Sequence, residues 1–183
     1  MIYYIANENN LRGVKIHVLD GERYSLENMN DNELSAFGDK ARKLQLDIHI
    51  ETSSSDKKSI DQAVSIALKT GASSVRFYPR YEGNLQDVLA TITQDIKYLR
   101  EKYQDSGLTF TLEQHEDLKS HELVSLIQNS DMESLSLLFD FANMINANEH
   151  PLTALDTMSP HITQVHIKDA LIINEKAGLG HKA

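Results

Sequence analysis

Three short apolar segments of the sequence each end at a side chain that can bind a metal ion. Residues 108–112 precede Glu113, residues 136–139 precede Asp140, and residues 162–165 precede His166. The three candidate ligands are 27 and 26 residues apart, with helical or turn-like sequence between them. Strands separated by helices in this way indicate parallel strand–helix–strand units. Residues at the carboxyl ends of such strands converge on one face of the fold, where barrels of this kind place their active sites.

The rest of the chain continues the same alternation of strands and helices. Strands are predicted over 13–18, 46–51 and 74–78, in addition to those ending at residues 113, 140 and 166. Helices are predicted over 2–9, 30–44, 57–70, 84–103, 120–128 and 151–158, and a loop over 19–29. The segment Ser54-Ser55-Asp56 is placed to cap the third of these helices, and Gly71 to end it.

This pattern predicts an α/β fold of the (β/α)8 TIM-barrel type with six parallel strands and the helices outside. A closed barrel has eight strands and occupies roughly 250 residues. We therefore expect residues 1–183 to form a single, partial barrel domain that lacks the first and last strands. Residues 177–180 are expected to form a loop that leads to a further strand.

Composition narrows the class of protein. The net charge of −9 argues against nucleic acid as a partner, because nucleic-acid-binding proteins usually carry a basic patch. No apolar stretch approaches the roughly 20 residues needed to cross a bilayer, so no membrane association is expected. The chain has no cysteine, which excludes disulfides and thiolate metal sites. A cytoplasmic location fits these properties best.

Three ordered motifs carry a resemblance to a known family. They are Leu-Glu-Gln-His-Glu at 112–116, Phe-Asp-Phe-Ala-Asn at 139–143 and Val-His-Ile-Lys-Asp at 165–169. In their order and spacing they resemble the xylose isomerase-like barrel superfamily, and the resemblance covers essentially the whole chain. That group contains sugar isomerases and epimerases, inosose-type dehydratases, and DNA repair enzymes of the endonuclease IV type.

The resemblance implies that Glu113, Asp140 and His166 are three of four ligands of a divalent cation, which would be Mn²⁺, Mg²⁺, Co²⁺ or Zn²⁺. The fourth ligand of the family is a Glu on the last strand. The chain ends before that strand, and Glu175, in the loop after His166, is a poor substitute. In the epimerase branch the first and last Glu also transfer the proton, so Glu113 is expected to act as both ligand and base.

Further side chains near the predicted strand ends are candidates for contact with a substrate. These candidates are His115, Asn143, Lys168, Asp169, His49 and Arg76. Each has a structural alternative. Asn143 can make a turn, Lys168 and Asp169 can pair with each other, and Arg76 can bind either an acidic substrate group or an acid of the protein itself.

The function that these residues favour is a metal-dependent isomerase or epimerase of a small sugar or polyol. In such a reaction a cation stabilises the enediolate that forms when a proton leaves the carbon next to a carbonyl. An inosose-type dehydratase would use the same chemistry. An endonuclease IV-like phosphodiesterase would need further His ligands, and Asn143 occupies the position where one is expected.

The remaining alternative is an inactive truncated barrel. An open sheet of six strands leaves two unpaired edges, which tend to pair with other chains. We therefore expect a homo-oligomer.

Overall fold

The computed structural model describes residues 2–115, 117–168, 171–175 and 178–182 of the chain. The strands are β1 (Gly13–His17), β2 (Asp47–Thr52), β3 (Ser74–Phe77), β4 (Thr109–Glu113), β5 (Leu135–Asp140), β6 (Ile162–His166), β7 (Leu171–Glu175) and β8 (Gly178–Lys182). The helices are α1 (Ile2–Glu8), α2 (Asp31–Lys43), α3 (Lys57–Thr70), α4 (Leu85–Tyr103), α5 (Ser120–Gln128), α6 (Phe141–Asn146) and α7 (Pro151–Met158).

Strands β1 to β6 form one parallel sheet, and their order in the sheet is their order in the chain. Side chains of strands that are not neighbours bond across the inner face of the sheet, which shows that the sheet is strongly curled. Gln164 of β6 donates a hydrogen bond to the Ser74 hydroxyl of β3 at 3.1 Å. His166 of β6 lies 3.3 Å from the Glu51 carboxylate of β2. The prediction of an incomplete TIM barrel with six parallel strands is confirmed.

The helices that cover the sheet begin and end at the residues that local chemistry favours. Asn30 and Glu33 form a capping box at the start of α2. The Asp56 carboxylate accepts the backbone N–H groups of Lys58 and Ser59 at the start of α3. Gly71 ends α3 with a φ of 70°, a left-handed conformation that glycine adopts without strain. These caps fix where each crossover returns to the sheet.

The core lies between the sheet and the helices. In β4, Phe110 and Leu112 are fully buried there, and the intervening side chains point to the inner face of the curl. Inner-face positions can therefore carry polar and charged side chains, such as Arg76 of β3. In the described part of the chain, no helix is both long and apolar enough to span a membrane.

Three elements, α6, β7 and β8, differ from the sequence predictions. The short helix α6 begins directly after β5 and was not predicted, because six residues give too little periodicity to identify a helix. Residues 178–182, predicted to lie largely in a loop, instead form β8, which pairs antiparallel with β7. The apolar run Leu171-Ile172-Ile173 favours an extended strand, and this strand needs a partner. Glu175 is consequently the last residue of β7 and not part of a loop.

Candidate metal centre

Polar side chains from the middle of β1 and from the carboxyl-terminal parts of the other parallel strands form one connected cluster. Each strand of the sheet contributes one residue: Lys15, Glu51, Arg76, Glu113, Asp140 and His166, in the order β1 to β6. Because the strands are parallel and in sequential order, these residues meet at the same end of the curled sheet.

Glu113, Asp140 and His166 are the last residues of β4, β5 and β6, and they converge as the sequence predicts. One potential ligand atom from each lies within 4.8 Å of the other two. His166 Nδ1 is 3.3 Å from Glu113 Oε1 and 3.7 Å from Asp140 Oδ2. Both carboxylates are buried, with 3% and 2% of their residue surface exposed. Their role as metal ligands stays a prediction.

Asp140 uses its two oxygens for different purposes. Oδ1 accepts the backbone N–H groups of Ala142 and Asn143 and so caps α6. Oδ2 faces His166 and lies 3.1 Å from Lys168 Nζ. The helix therefore fixes the carboxylate, and one oxygen remains directed into the cluster.

A buried ion pair lies on the other side of His166. The Arg76 guanidinium bonds Glu51 Oε2 through Nη2 at 2.9 Å, and its Nε lies 3.0 Å from Glu113 Oε2. Glu51 Oε1 is 3.3 Å from His166 Nε2 and 3.8 Å from Lys15 Nζ. Arg76 thus connects the acid of β2 with the acid of β4.

The acids strongly favour a positive charge at their centre. Contacts with the carboxylates of Asp140, Glu113 and Glu51 raise the pKa of His166 to about 10, despite its burial. Burial by itself would raise the pKa of Glu51, but His166 and Arg76 lower it to about 2. In the same way, His166 and Lys168 lower the pKa of Asp140 against the effect of burial. The carboxylates that favour the charged form of His166 would also stabilise a cation bound between them.

Three of the predicted substrate-contact residues lie beside the cluster. Lys168 Nζ donates to Asn143 Oδ1 at 2.9 Å, in addition to its contact with Asp140. Asn143 Nδ2 donates to the backbone oxygen of Gln114 at 3.0 Å. The His115 ring stacks on Tyr78, with the ring centroids 4.2 Å apart. These residues line one wall of an open cavity.

The other three candidates have different surroundings. Arg76 also lines the cavity but is 6% exposed, and its bonds go to acids of the protein, as the ion-pair alternative expects. His49 lies two residues before Glu51 in β2 and accepts or donates a 2.7 Å hydrogen bond with Ser74, beneath the cluster. Burial lowers the pKa of His49. Asp169 lies outside the described residues. Substrate contact by these candidates stays a prediction.

The cavity at this end of the sheet has a volume of about 430 Å³, which suits a small sugar. Its lining includes all three candidate metal ligands, together with Lys15 and His17 of β1. Lys15 was not among the predicted site residues. A lysine between Val14 and Ile16 in a predicted strand was the available signal, since a charge inside a strand needs a partner.

The residues present fit a divalent cation. Two carboxylates and one imidazole are a donor set for Mn²⁺, Mg²⁺, Co²⁺ or Zn²⁺. Glu113 Oε1, Asp140 Oδ2 and His166 Nδ1 point toward each other, and each carboxylate has its second oxygen directed elsewhere. Glu113 Oε2 is buried and lies 3.0 Å from Arg76 Nε, so the guanidinium compensates its charge. Oε1 is the oxygen that faces His166 and the candidate cation position.

The sequence matches the family of xylose isomerase-like TIM barrels over residues 5–180. The chain belongs to this family. It is 82% identical over 179 residues to the uncharacterized protein YihM of Escherichia coli (strain K12), covering 98% of this chain and 55% of YihM. The chain therefore spans little more than half the length of that relative.

Solved structures of remote relatives have the same fold. A D-psicose 3-epimerase crystallised in the presence of D-fructose superposes with a TM-score of 0.76 at 10% identity, over 90% of this chain and 65% of the epimerase. A xylose isomerase-like TIM barrel protein from Mycobacterium smegmatis in complex with magnesium gives a TM-score of 0.71 at 15% identity, over 98% of this chain and 69% of that protein. At such low identity the likeness establishes the fold alone.

Proposed function

We propose that this chain provides most of the active site of a metal-dependent isomerase or epimerase that acts on a small sugar or polyol. The observation that carries the proposal is the convergence of Glu113, Asp140 and His166 around one point at the mouth of a xylose isomerase-like barrel. An epimerase and a magnesium complex among proteins of the same fold are consistent with it. A cytoplasmic location and a homo-oligomeric state are further parts of the prediction.

The residues of the chain have complementary roles in this proposal. When bound, a divalent cation would polarise the carbonyl of the sugar and stabilise the negative charge that develops as the neighbouring proton leaves. Glu113 holds the cation and takes the proton from carbon. Lys168, which already donates to Asn143, can donate to a substrate hydroxyl. The His115 ring, which is held by stacking on the buried Tyr78 ring and lines the cavity, offers an aromatic surface against which a sugar can pack.

The geometry gives less support to a phosphodiesterase of the endonuclease IV type. That chemistry needs several metal ions and additional His ligands. Among the described residues, the potential ligands form one group of three. Asn143, at the position where a further His would be expected, is buried and bonded to Lys168 and Gln114. A dehydratase that acts on an inositol-like ketone uses the same proton removal, so the reaction assay must distinguish it from an epimerase.

Metal binding can be tested without knowing the substrate. The parent protein, a Glu113→Gln variant and a Glu101→Gln control are dialysed with Mn²⁺, and bound manganese is measured by elemental analysis. Glu101 lies on the exposed surface of α4, so the control changes the same charge away from the site. We expect about one bound ion per chain in the parent and the control, and a large loss in Glu113→Gln. Equal manganese content in all three proteins would refute the metal site.

The reaction is tested separately in D₂O with a panel of ketoses and inosose-type ketones. Removal and return of a proton would place deuterium on the carbon next to the carbonyl, which NMR detects even when little product accumulates. We expect exchange with the parent and none with Glu113→Gln. Loss of water from the substrate instead of exchange would favour the dehydratase. A metal-loaded parent that exchanges no proton on any of these compounds would refute the enzymatic part of the proposal for this chain.

A further inference from the structure

The two ring nitrogens of His166 face different acids. Nδ1 lies 3.3 Å from Glu113 and 3.7 Å from Asp140, the other two candidate ligands. Nε2 lies 3.3 Å from Glu51 Oε1 on the opposite edge of the ring. Glu51 is not part of the group of ligand atoms that lie within 4.8 Å of one another. The ring therefore separates the candidate metal ligands from the acid of β2.

A histidine that binds a metal ion must use one nitrogen as the lone-pair donor and keep its proton on the other. An acceptor for that proton fixes both the tautomer and the orientation of the ring. If Nδ1 binds the ion, Nε2 carries the proton, and Glu51 Oε1 is in place to accept it. If Nε2 bound the ion, the ion would lie toward Glu51 and away from Asp140 and Glu113.

Arg76 holds Glu51 in the position that this arrangement requires. The planar guanidinium contacts Glu51 through Nη2 and Glu113 through Nε, so one rigid group sets the spacing of the two acids. Only 8% of the Arg76 side chain is exposed, and the guanidinium lies over the Tyr78 ring, 5.2 Å from its centroid. Its burial and its contact with Tyr78 leave the guanidinium little freedom to choose other partners.

We propose that Glu51, held by Arg76, is a positioning residue that keeps the proton of His166 on Nε2 and presents Nδ1 to the metal ion. This inference rests on the proposed function, because it assigns a role toward the same cation. In this arrangement Glu51 Oε2 binds Arg76 and Glu51 Oε1 accepts the His166 proton, so Glu51 itself does not bind the ion. Direct binding by Glu51 is the competing arrangement.

Zinc titration of three proteins tests the effect on affinity. Isothermal titration calorimetry with Zn²⁺ alone is carried out on the parent, Glu51→Gln and Glu51→Leu. Loss of such an acceptor typically weakens metal binding about 10- to 100-fold. We expect a loss of this size for Glu51→Leu. Glu51→Gln keeps an acceptor oxygen at the same distance from the backbone, so we expect it to recover most of the affinity.

The tautomer is observed directly in the parent, so the test does not depend on a variant that folds. Long-range ¹H–¹⁵N spectra of the zinc-loaded protein distinguish a metal-bound nitrogen from a protonated one, and His166→Gln identifies the signals. We expect a metal-bound Nδ1 and a protonated Nε2. A metal-bound Nε2 would overturn the inference, as would a Glu51→Leu variant that folds and binds Zn²⁺ as tightly as the parent does.

The failure of this inference is distinguishable from the failure of the proposed function. A parent that binds neither Mn²⁺ in the dialysis experiment nor Zn²⁺ here would refute the metal site, and the role of Glu51 with it. A parent that binds Zn²⁺ through Nε2, or through Glu51 directly, would refute the role of Glu51 and leave the metal site intact.

Discussion

Replacement of Arg76 by methionine should greatly destabilise the protein, although methionine keeps an unbranched side chain comparable to the aliphatic part of arginine. Arg76 is the shared partner of Glu51 and Glu113, and 8%, 11% and 4% of these side chains are exposed, respectively. Removing one partner of a buried ion pair leaves an uncompensated charge and costs about 3–5 kcal/mol. Because Arg76→Met leaves two carboxylates without their partner, we expect its loss of unfolding free energy to lie in the upper part of that range.

Urea unfolding followed by circular dichroism measures this loss, with EDTA present so that bound ions do not contribute. Arg42→Met is the matched control. Arg42 contacts Asp39 at 2.8 Å, but its side chain is 71% exposed, and pairs of that kind contribute at most about 1 kcal/mol. The difference between the two variants should persist at high salt, because buried pairs are screened much less than exposed ones. A loss below about 1 kcal/mol for Arg76→Met would show that water compensates the two acids and would refute the reasoning.

Three further predictions concern the fold. Gly38→Ala should lower the free energy of unfolding, measured in urea, by about 1–3 kcal/mol, because the added Cβ would lie 2.0 Å from the Thr70 backbone oxygen of α3. This steric cost should outweigh the better helix propensity of alanine. A more stable variant would show that α2 and α3 separate easily. Asp56→Ala should cost about 1 kcal/mol at pH 7 through loss of the α3 cap. Burial raises the pKa of Asp56, but hydrogen bonds from Ser54 and Ser59 lower it overall. The cap therefore contributes fully above the unfolded-state pKa, and its contribution is lost as pH falls through the native pKa. The unfolding free energies of parent and variant should converge in acid, and a difference that stays constant with pH would contradict this. Light scattering should find a dimer or larger oligomer, whereas a stable monomer at high concentration would contradict pairing through open sheet edges.

Local signals in the sequence predicted most of the fold. Helices α5 and α7 have the predicted bounds, and Asp56 caps α3 as expected, because periodicity and capping depend on residues within a few positions of each other. Helix α6 was missed because its first turn is stabilised by Asp140, a residue that the sequence had already assigned to a strand and a metal site. Asp140 is thus both the cap of α6 and a candidate metal ligand.

The candidate site could be predicted only in part, for a related reason. Glu113, Asp140 and His166 carry a family pattern and end recognisable strands, so their convergence was expected. Glu51 is the last residue of the predicted strand 46–51, but nothing in its surroundings in the sequence indicated its partners. Its contacts with Arg76 and His166 join residues 25 and 115 positions apart and depend on how far the sheet curls.

The division of Asp140 between a helix and the cluster links ion binding to the folding of a nearby turn. Since Oδ1 is engaged by the N–H groups of Ala142 and Asn143, the carboxylate cannot rotate without opening the first turn of α6. An incoming cation and the Lys168 ammonium must therefore compete for a single oxygen atom. Amide hydrogens of the first turn of α6 should exchange with solvent more slowly once an ion is bound. Their exchange rates would therefore report whether the metal site is occupied.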